Sequence, residues 1–549
     1  MNLFFYLTYY FLISFSIIGY GYFFKTLFMK GEKNNLGYLG IYGIFSLIII
    51  SYLSNYLISH NHLFNSILWL IGLAIFILFI KKNYFLEKKQ FKFISIIFLF
   101  LTVAIFAAKN HDDFPYYHFA YTHLLTSSNL LIGLGQFNHG FKTPSSIFYF
   151  ASFFYLPKVN YQLIHLAPIF FVGFVNFIFL EKIFKFLKEK KELYLVIFSV
   201  LSLAIINIFF YRLAEHGTDR TAQILIFLLI FEIFQLINSK IDEEKVDLNN
   251  ILIICTIIIS LKVFYFIYLL IFLVIIFYQK SLLLFLLTIF KNKITYICLL
   301  LISLILLTNI FNTGCLIYPL PASCVFNFTW SLPIEEVKHL NQWYQQWSKA
   351  GATPHFRVEN PELYIQNLNW LSNWIDFYFF NKVSDYLAGL IFLVILFFLF
   401  FHKNFKSKIF KRNFWSIYLI LLILFIEWFL FHPALRYGGY HLIALLIFIP
   451  FSVYFENLLV INDKNIKRLK VFIILIFFIF FMRNLDRIYK EHKIYDYNFL
   501  KYPSYNLEFE NFQISSRIMN IKNCLKGLEC NEEHIEVKKK YIFNIFVRK

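Results

Sequence analysis

The chain alternates between long apolar runs and short polar stretches. Runs such as "FISIIFLFLTVAIFAA" (93–108) are roughly 16 to 22 residues long, the length at which an α-helix crosses a hydrocarbon core of ~30 Å. In lipid they must be helical, because the backbone has no water to satisfy it. Spans are expected near 3–24, 37–58, 64–80, 93–108, 161–180, 193–211, 222–238, 250–261, 263–278, 294–310, 384–401, 413–431, 440–459 and 470–482. The fold class is therefore an all-α integral membrane protein of about 14 transmembrane helices, in a range of 12 to 14.

Residues 250–278 need the closest reading, because Lys262 interrupts their apolar run. As one helix they would place "HKNFKSKIFKR" and "NDKNIKRLK" outside, against the rule that basic loops stay inside. Split at Lys262, every short basic loop falls on one side, and Lys262 lies at or near the outer surface. The first half, about 18 Å long at 1.5 Å per residue, then stops short and needs protein or water around its end.

Composition agrees. Of 549 residues 59% are hydrophobic and 15% charged, against about 25% charged in soluble domains. The net charge of +19 sits in short loops such as "KKNYFLEKKQFK" and "KFLKEKK", a topogenic pattern that excludes nucleic acid as a partner. The 75 Phe and 37 Tyr read as lipid-facing filler from a low-GC genome rather than as a binding surface. The first apolar run has no basic leader and no small-residue cleavage site, so no cleaved signal is expected.

The organisation is then N-terminal spans (1–108), an outer loop (109–160), central spans (161–310), a small outer, periplasmic segment (311–383), C-terminal spans (384–482) and an outer tail (483–549). Cysteines fit that sidedness: Cys315 with Cys324, and Cys524 with Cys530, lie close in sequence on the oxidising side and are expected to pair. Cys255 and Cys298 lie inside spans as packing residues. Trp343 with Trp347, and Trp370 with Trp374, are spaced to share helix faces, as an interfacial belt or a sugar-stacking platform.

The candidate chemistry gathers in "AAKNHDDFPYYHFAYTH" (107–123), at the mouth of the fourth span. Asp113 stands where it would cap a new helix opened by Pro115, yet one carboxylate suffices for a cap and Asp112 supplies a second. His118, Tyr117 and His139 share this outer loop, and "YRLAEHGTDR" adds Asp219 and Arg220. A divalent ion held by the aspartates and histidines is chemically possible, but no ligand spacing requires one.

"DFPYYH" followed by "GLGQFNHGFKTPSSIFYF" resembles a group of poorly characterised bacterial membrane proteins, and more broadly the GT-C superfamily of polyprenol-phosphate-sugar-dependent glycosyltransferases. The resemblance covers Asp113, Tyr117, His118, Gly133, Leu134, Gly135, Ser145, Ser146, Lys262, Tyr318, Pro319 and Arg436. Gln136 and Asn138 stand where Asn and His are usual, and Gly140 where that group has a basic residue. The carboxylate also follows the fourth span rather than the first.

The resemblance implies a GT-C-like fold with outer juxtamembrane helices, in a bacterial inner membrane with the active face toward the periplasm. It implies transfer of a sugar from a polyprenyl-phosphate donor to a cell-envelope glycan or lipid acceptor. Asp113 would be the base, assisted by Asp112 and His118; Lys262, Arg436 and Arg220 would hold the phosphate, with Tyr117, His139 and Asp219 lining the site. The alternatives are an O-antigen polymerase or ligase, and a lipid-linked saccharide transporter or flippase, which would favour repeats and broken helices.

Overall fold

The structure is a computed structural model describing residues 3–29, 35–107, 113–210, 213, 217–238, 248–279, 281–352, 358–401, 412–459, 462–500, 511–528 and 535–549. Among these residues nine helices are long and apolar enough to cross a membrane, and ten if one bent pair counts as a span. The chain is a helical multi-pass membrane protein.

Helices α1 (Leu3–Phe28), α2 (Leu36–Asn55) and α3 (His62–Phe106) open the bundle. At Gly21 and Gly43 an added Cβ would overlap backbone of the facing helix, so α1 and α2 meet backbone to backbone. The 45 residues of α3 do not run straight. Phe76 and Phe91 have ring centroids 5.8 Å apart, whereas a straight helix would separate them by ~22 Å. The helix folds back at the basic stretch, leaving two apolar arms, His62–Asn83 and Lys88–Phe106.

A five-residue π turn, Phe114–His118, leads into α4 (Phe119–Ser127). The two-residue strand β1 (Leu131–Ile132) and α5 (Ser146–Ser152) complete the outer loop. Phe119, Tyr121, Leu124 and Leu125 of α4 are all buried. Helix α4 is thus largely enclosed by protein, and α5 packs against it.

Helices α6 (Ala167–Glu189), α7 (Leu193–Ala204), α8 (Thr218–Asn238) and α9 (Asn249–Leu261) form the bundle core. Asn176 and Asn207 exchange amide hydrogen bonds of 2.9 and 3.0 Å inside it, satisfying both buried side chains. The chain breaks where the sequence indicated. Helix α9 ends at Leu261, Lys262 is extended, and a 3₁₀ segment, Val263–Ile271, follows into α10 (Phe272–Gln279). The carbonyl freed at Leu261 accepts a 2.6 Å hydrogen bond from the Ser145 hydroxyl, which is the protein support a half-crossing helix needs. Between the expected spans at 263–278 and 294–310 lies a further helix, α11 (Leu282–Lys291), which Ser281 caps and whose apolar residues project largely outward.

Helix α12 (Lys293–Thr313) leads to a segment with α13 (Ile334–Lys349), α14 (Pro361–Ile365) and α15 (Leu371–Trp374). Cys315 and Cys324 are disulfide-bonded; Cys255 and Cys298 are free and buried. The other expected pair involves Cys530, outside the described residues. Trp370 and Trp374 are buried rather than interfacial, and the Trp374 indole donates to Pro433 O at 2.8 Å.

The rest of the chain comprises α16 (Ser384–Phe401), α17 (Trp415–Phe431), α18 (Gly439–Glu456), α19 (Asp463–Tyr495), α20 (Asn511–Leu525), β2 (Ile535–Lys540) and β3 (Phe543–Arg548). Strand order is β1-β3-β2: β3 pairs parallel with β1 and antiparallel with β2. The last strand of the tail is thus inserted beside the loop that carries Asp113.

Candidate functional site

Asp113 occupies the N-cap position of the π turn, but its side chain makes no capping hydrogen bond. Its carboxylate faces the Arg436 guanidinium at 3.4 Å. The same guanidinium reaches Asp219 at 3.2 Å, and Lys262 pairs with the other oxygen of Asp219. Four charged side chains from four distant segments therefore form one chain: Asp113, Arg436, Asp219, Lys262. Their formal charges cancel, which makes a half-buried cluster tolerable.

Each member is held by local structure. Lys262 projects from the break between α9 and the 3₁₀ segment, and the Ser145 hydroxyl fixes that break. Ser146 in turn meets the Tyr52 hydroxyl at 3.1 Å. Asp219 is in the first turn of α8. Arg436 sits in the short turn Leu435–Tyr437, where its carbonyl accepts from the Gln223 amide at 2.8 Å and Leu435 N–H donates to the Tyr378 hydroxyl at 2.8 Å. Aromatic faces complete the cage. Lys262 lies 4.4 Å from the Tyr437 centroid, and Arg436 lies 5.4 Å from Trp347 and 5.6 Å from Tyr437.

The two carboxylates differ. Asp219 is 14% exposed and engaged by two cations; Asp113 is 28% exposed and shares one guanidinium edge. Asp113 is the more exposed of the two carboxylates, and Asp219 bridges the two cations.

The other expected residues fall around this cluster. Tyr117 packs its ring on His118 at 4.4 Å, and His118 is buried against Phe148 at 5.1 Å. His139 lies under α13, with ring centroids 5.4 Å from both Trp343 and Tyr344. Arg220 stands apart in an aromatic slot, 4.5 Å from Phe210 and 4.4 Å from Tyr440, rather than in the ion-pair chain. Asp112 lies outside the described residues. No group of three or more potential metal ligands gathers among the described residues.

The departures from the resembled pattern acquire physical reasons. A side chain at position 140 would overlap the ring of Tyr117, so a basic residue there is incompatible with this packing. Asn138 ties the loop together, donating to Tyr116 O at 3.2 Å and accepting from Gly140 N at 2.8 Å. Gln136 donates to Trp330 O and Phe546 O at 3.2 and 3.0 Å, joining the loop to α13's approach and to the tail. Tyr318 and Pro319 lie beneath α13 in a small core with Cys315, Leu332 and Val337, away from the ion-pair chain.

Sequence reading missed two supports. Glu336 of α13 pairs with Lys142 of the outer loop and, at 3.2 Å, with Arg548 of β3. Burial opposes the charge on Glu336, but its two cations prevail and hold its carboxyl below the ordinary value. The second is the row Lys262, Tyr265, Tyr268: the three-residue spacing of a 3₁₀ segment puts them on one buried face, and Tyr268 hydrogen-bonds His441. That i, i+3 spacing was the available signal.

Burial, and then the charge of Lys142, push His139 down to about 4 from its ordinary 6.5. Its neutral form is favoured in the folded state, so the unfolded chain binds more protons between about pH 6.5 and 4. Stability is full above this window and falls as pH drops through it. Thermal melts from pH 7 to pH 4.5 should show that decline, and His139→Gln should flatten its share; an unchanged profile would refute this assignment.

This arrangement, an ion-pair chain at one end of a helical bundle, defines the class as a multi-pass membrane protein with a half-buried charged cluster. The chain belongs to the family described as domain of unknown function DUF8201, whose model matches residues 3–444. No curated protein and no solved structure matches it.

Proposed function

We propose that the protein is a GT-C-type glycosyltransferase of about 14 spans, moving a sugar from a polyprenyl-phosphate donor to a glycan or lipid acceptor at the outer face of a bacterial inner membrane. The observation that carries this reading is the reach of Asp113 past its capping position to Arg436. A base and the cations for a leaving phosphate then share one cluster. In the proposed step the acceptor hydroxyl attacks the anomeric carbon and Asp113 takes its proton. The bond from that carbon to the phosphate oxygen breaks, and the departing phosphate carries its growing charge onto Lys262 and Arg436. The sugar inverts because attack comes from the face opposite the leaving group. Trp347 and Tyr437, already stacked about Arg436, supply apolar faces for the sugar ring.

Deletion of the gene should cause a polyprenyl-linked sugar to accumulate, and purified protein in liposomes should consume it. Absence of both would leave a transport role. The topology follows from the split at Lys262: reporter fusions after Gly140, Gln345 and Glu510 should all read periplasmic. A cytoplasmic signal at Gln345 would separate α13 from the Asp113 loop and sink the shared site.

A further inference from the structure

The C-terminal hairpin carries a feature the ion-pair site does not use. Strands β2 and β3 are joined by a tight turn at Tyr541 and Ile542, with Tyr541 85% and Ile542 50% exposed. Tyr541 has φ +55°, a left-handed conformation for which turns ordinarily select Gly or Asn. A bulky aromatic there is unfavourable in backbone terms and, in water, in solvation terms. Directly before it Lys538, Lys539 and Lys540 are all exposed, and among the described residues Glu536 approaches Lys538 at 3.9 Å.

The turn is tied to the membrane boundary. Asn129 donates to Ile542 O at 2.9 Å. The next residue, Leu130, donates its N–H to Asn55 O at 2.8 Å, and Asn55 is the last residue of the apolar helix α2. Beyond Asn55 the chain exposes Leu57 at 70%, Ile58 at 43% and Leu63 at 71%. Those side chains adjoin the exposed apolar surface of α3, whose first arm is only 33% buried.

We infer that the Tyr541–Ile542 turn dips into the headgroup layer beside the outer ends of α2 and α3, with Lys538, Lys539 and Lys540 on anionic phospholipid headgroups. An amphipathic aromatic ring suits that layer, and lysine stems reach the phosphates above it. The lipid contact would pin β3, whose other end carries Arg548 to Glu336. The hairpin thereby links lipid charge to the outer loop whether or not the protein transfers sugar.

The test places a nitroxide on Tyr541→Cys in the full-length protein, reconstituted in phosphatidylcholine vesicles with or without phosphatidylglycerol. The same label on Glu335→Cys, exposed at 77% on α13, serves as the aqueous reference. The 541 label should be oxygen-accessible and shielded from a water-soluble nickel complex in the anionic vesicles. Shielding should weaken several-fold without phosphatidylglycerol, and equally when all three lysines become Gln. Ile542→Cys, outside the positive-φ position, repeats the measurement should Tyr541→Cys disturb the turn. Nickel accessibility equal to that at position 335 for both labels would overturn the proposal, as would shielding indifferent to the lysines and to lipid charge.

Discussion

Asp113→Asn is expected to lower sugar transfer by about 10²-fold or more with normal protein levels and insertion. Asparagine caps helices about as well as aspartate, and Asp113 makes no capping hydrogen bond in any case. Loss of stability therefore does not account for the expected effect. What the substitution removes is the capacity to accept a proton, while the amide can still meet Arg436. Turnover by purified protein, alongside a melting curve, separates the two. A fully active Asp113→Asn protein would remove this carboxylate from the mechanism and leave it an ion-pair partner only.

Arg436→Ala should raise the donor KM about 10- to 150-fold, the equivalent of one charge-assisted contact. It should also move the acidic limb of the pH–rate profile to higher pH. The sign follows from the cluster: Asp113 must be ionised to act as base, and the guanidinium 3.4 Å away favours that form. Without it Asp113 and Asp219 lose the guanidinium that they share. Arg436→Lys should recover part of the KM but little of the profile. A single ammonium cannot reproduce a planar fork that meets carboxylates at 3.2 and 3.4 Å. Unchanged KM and profile in Arg436→Ala would show the arginine to be a structural clamp.

Much of this site was legible one residue at a time. Lys262 stood out because an ionisable group interrupting an apolar run demands a break, and the break is there. Asp113 stood out because the carboxylates exceeded what a cap requires. Arg220 was legible as a cation but not as one held by rings: its slot between Phe210 and Tyr440 depends on how α18 packs on α8. The burial of α4 depends on α5 and α20 packing against it, which no local pattern reports. Trp370 and Trp374 show the same limit: i, i+4 spacing puts both on one face but does not say whether lipid or protein meets it.

The sequence by itself determined that this is a helical membrane protein, where its apolar segments lie, and that α9 stops at Lys262. These properties depend on local hydrophobicity, length and charge, which act over a single helix. Only the tertiary structure decided that Asp113 and Asp219 share one guanidinium, that Ser145 supports the broken helix, and that β3 joins β1 across the whole chain. Such pairings join residues hundreds of positions apart. They are selected by which burials and ion pairs can be satisfied together, a condition that no single segment contains.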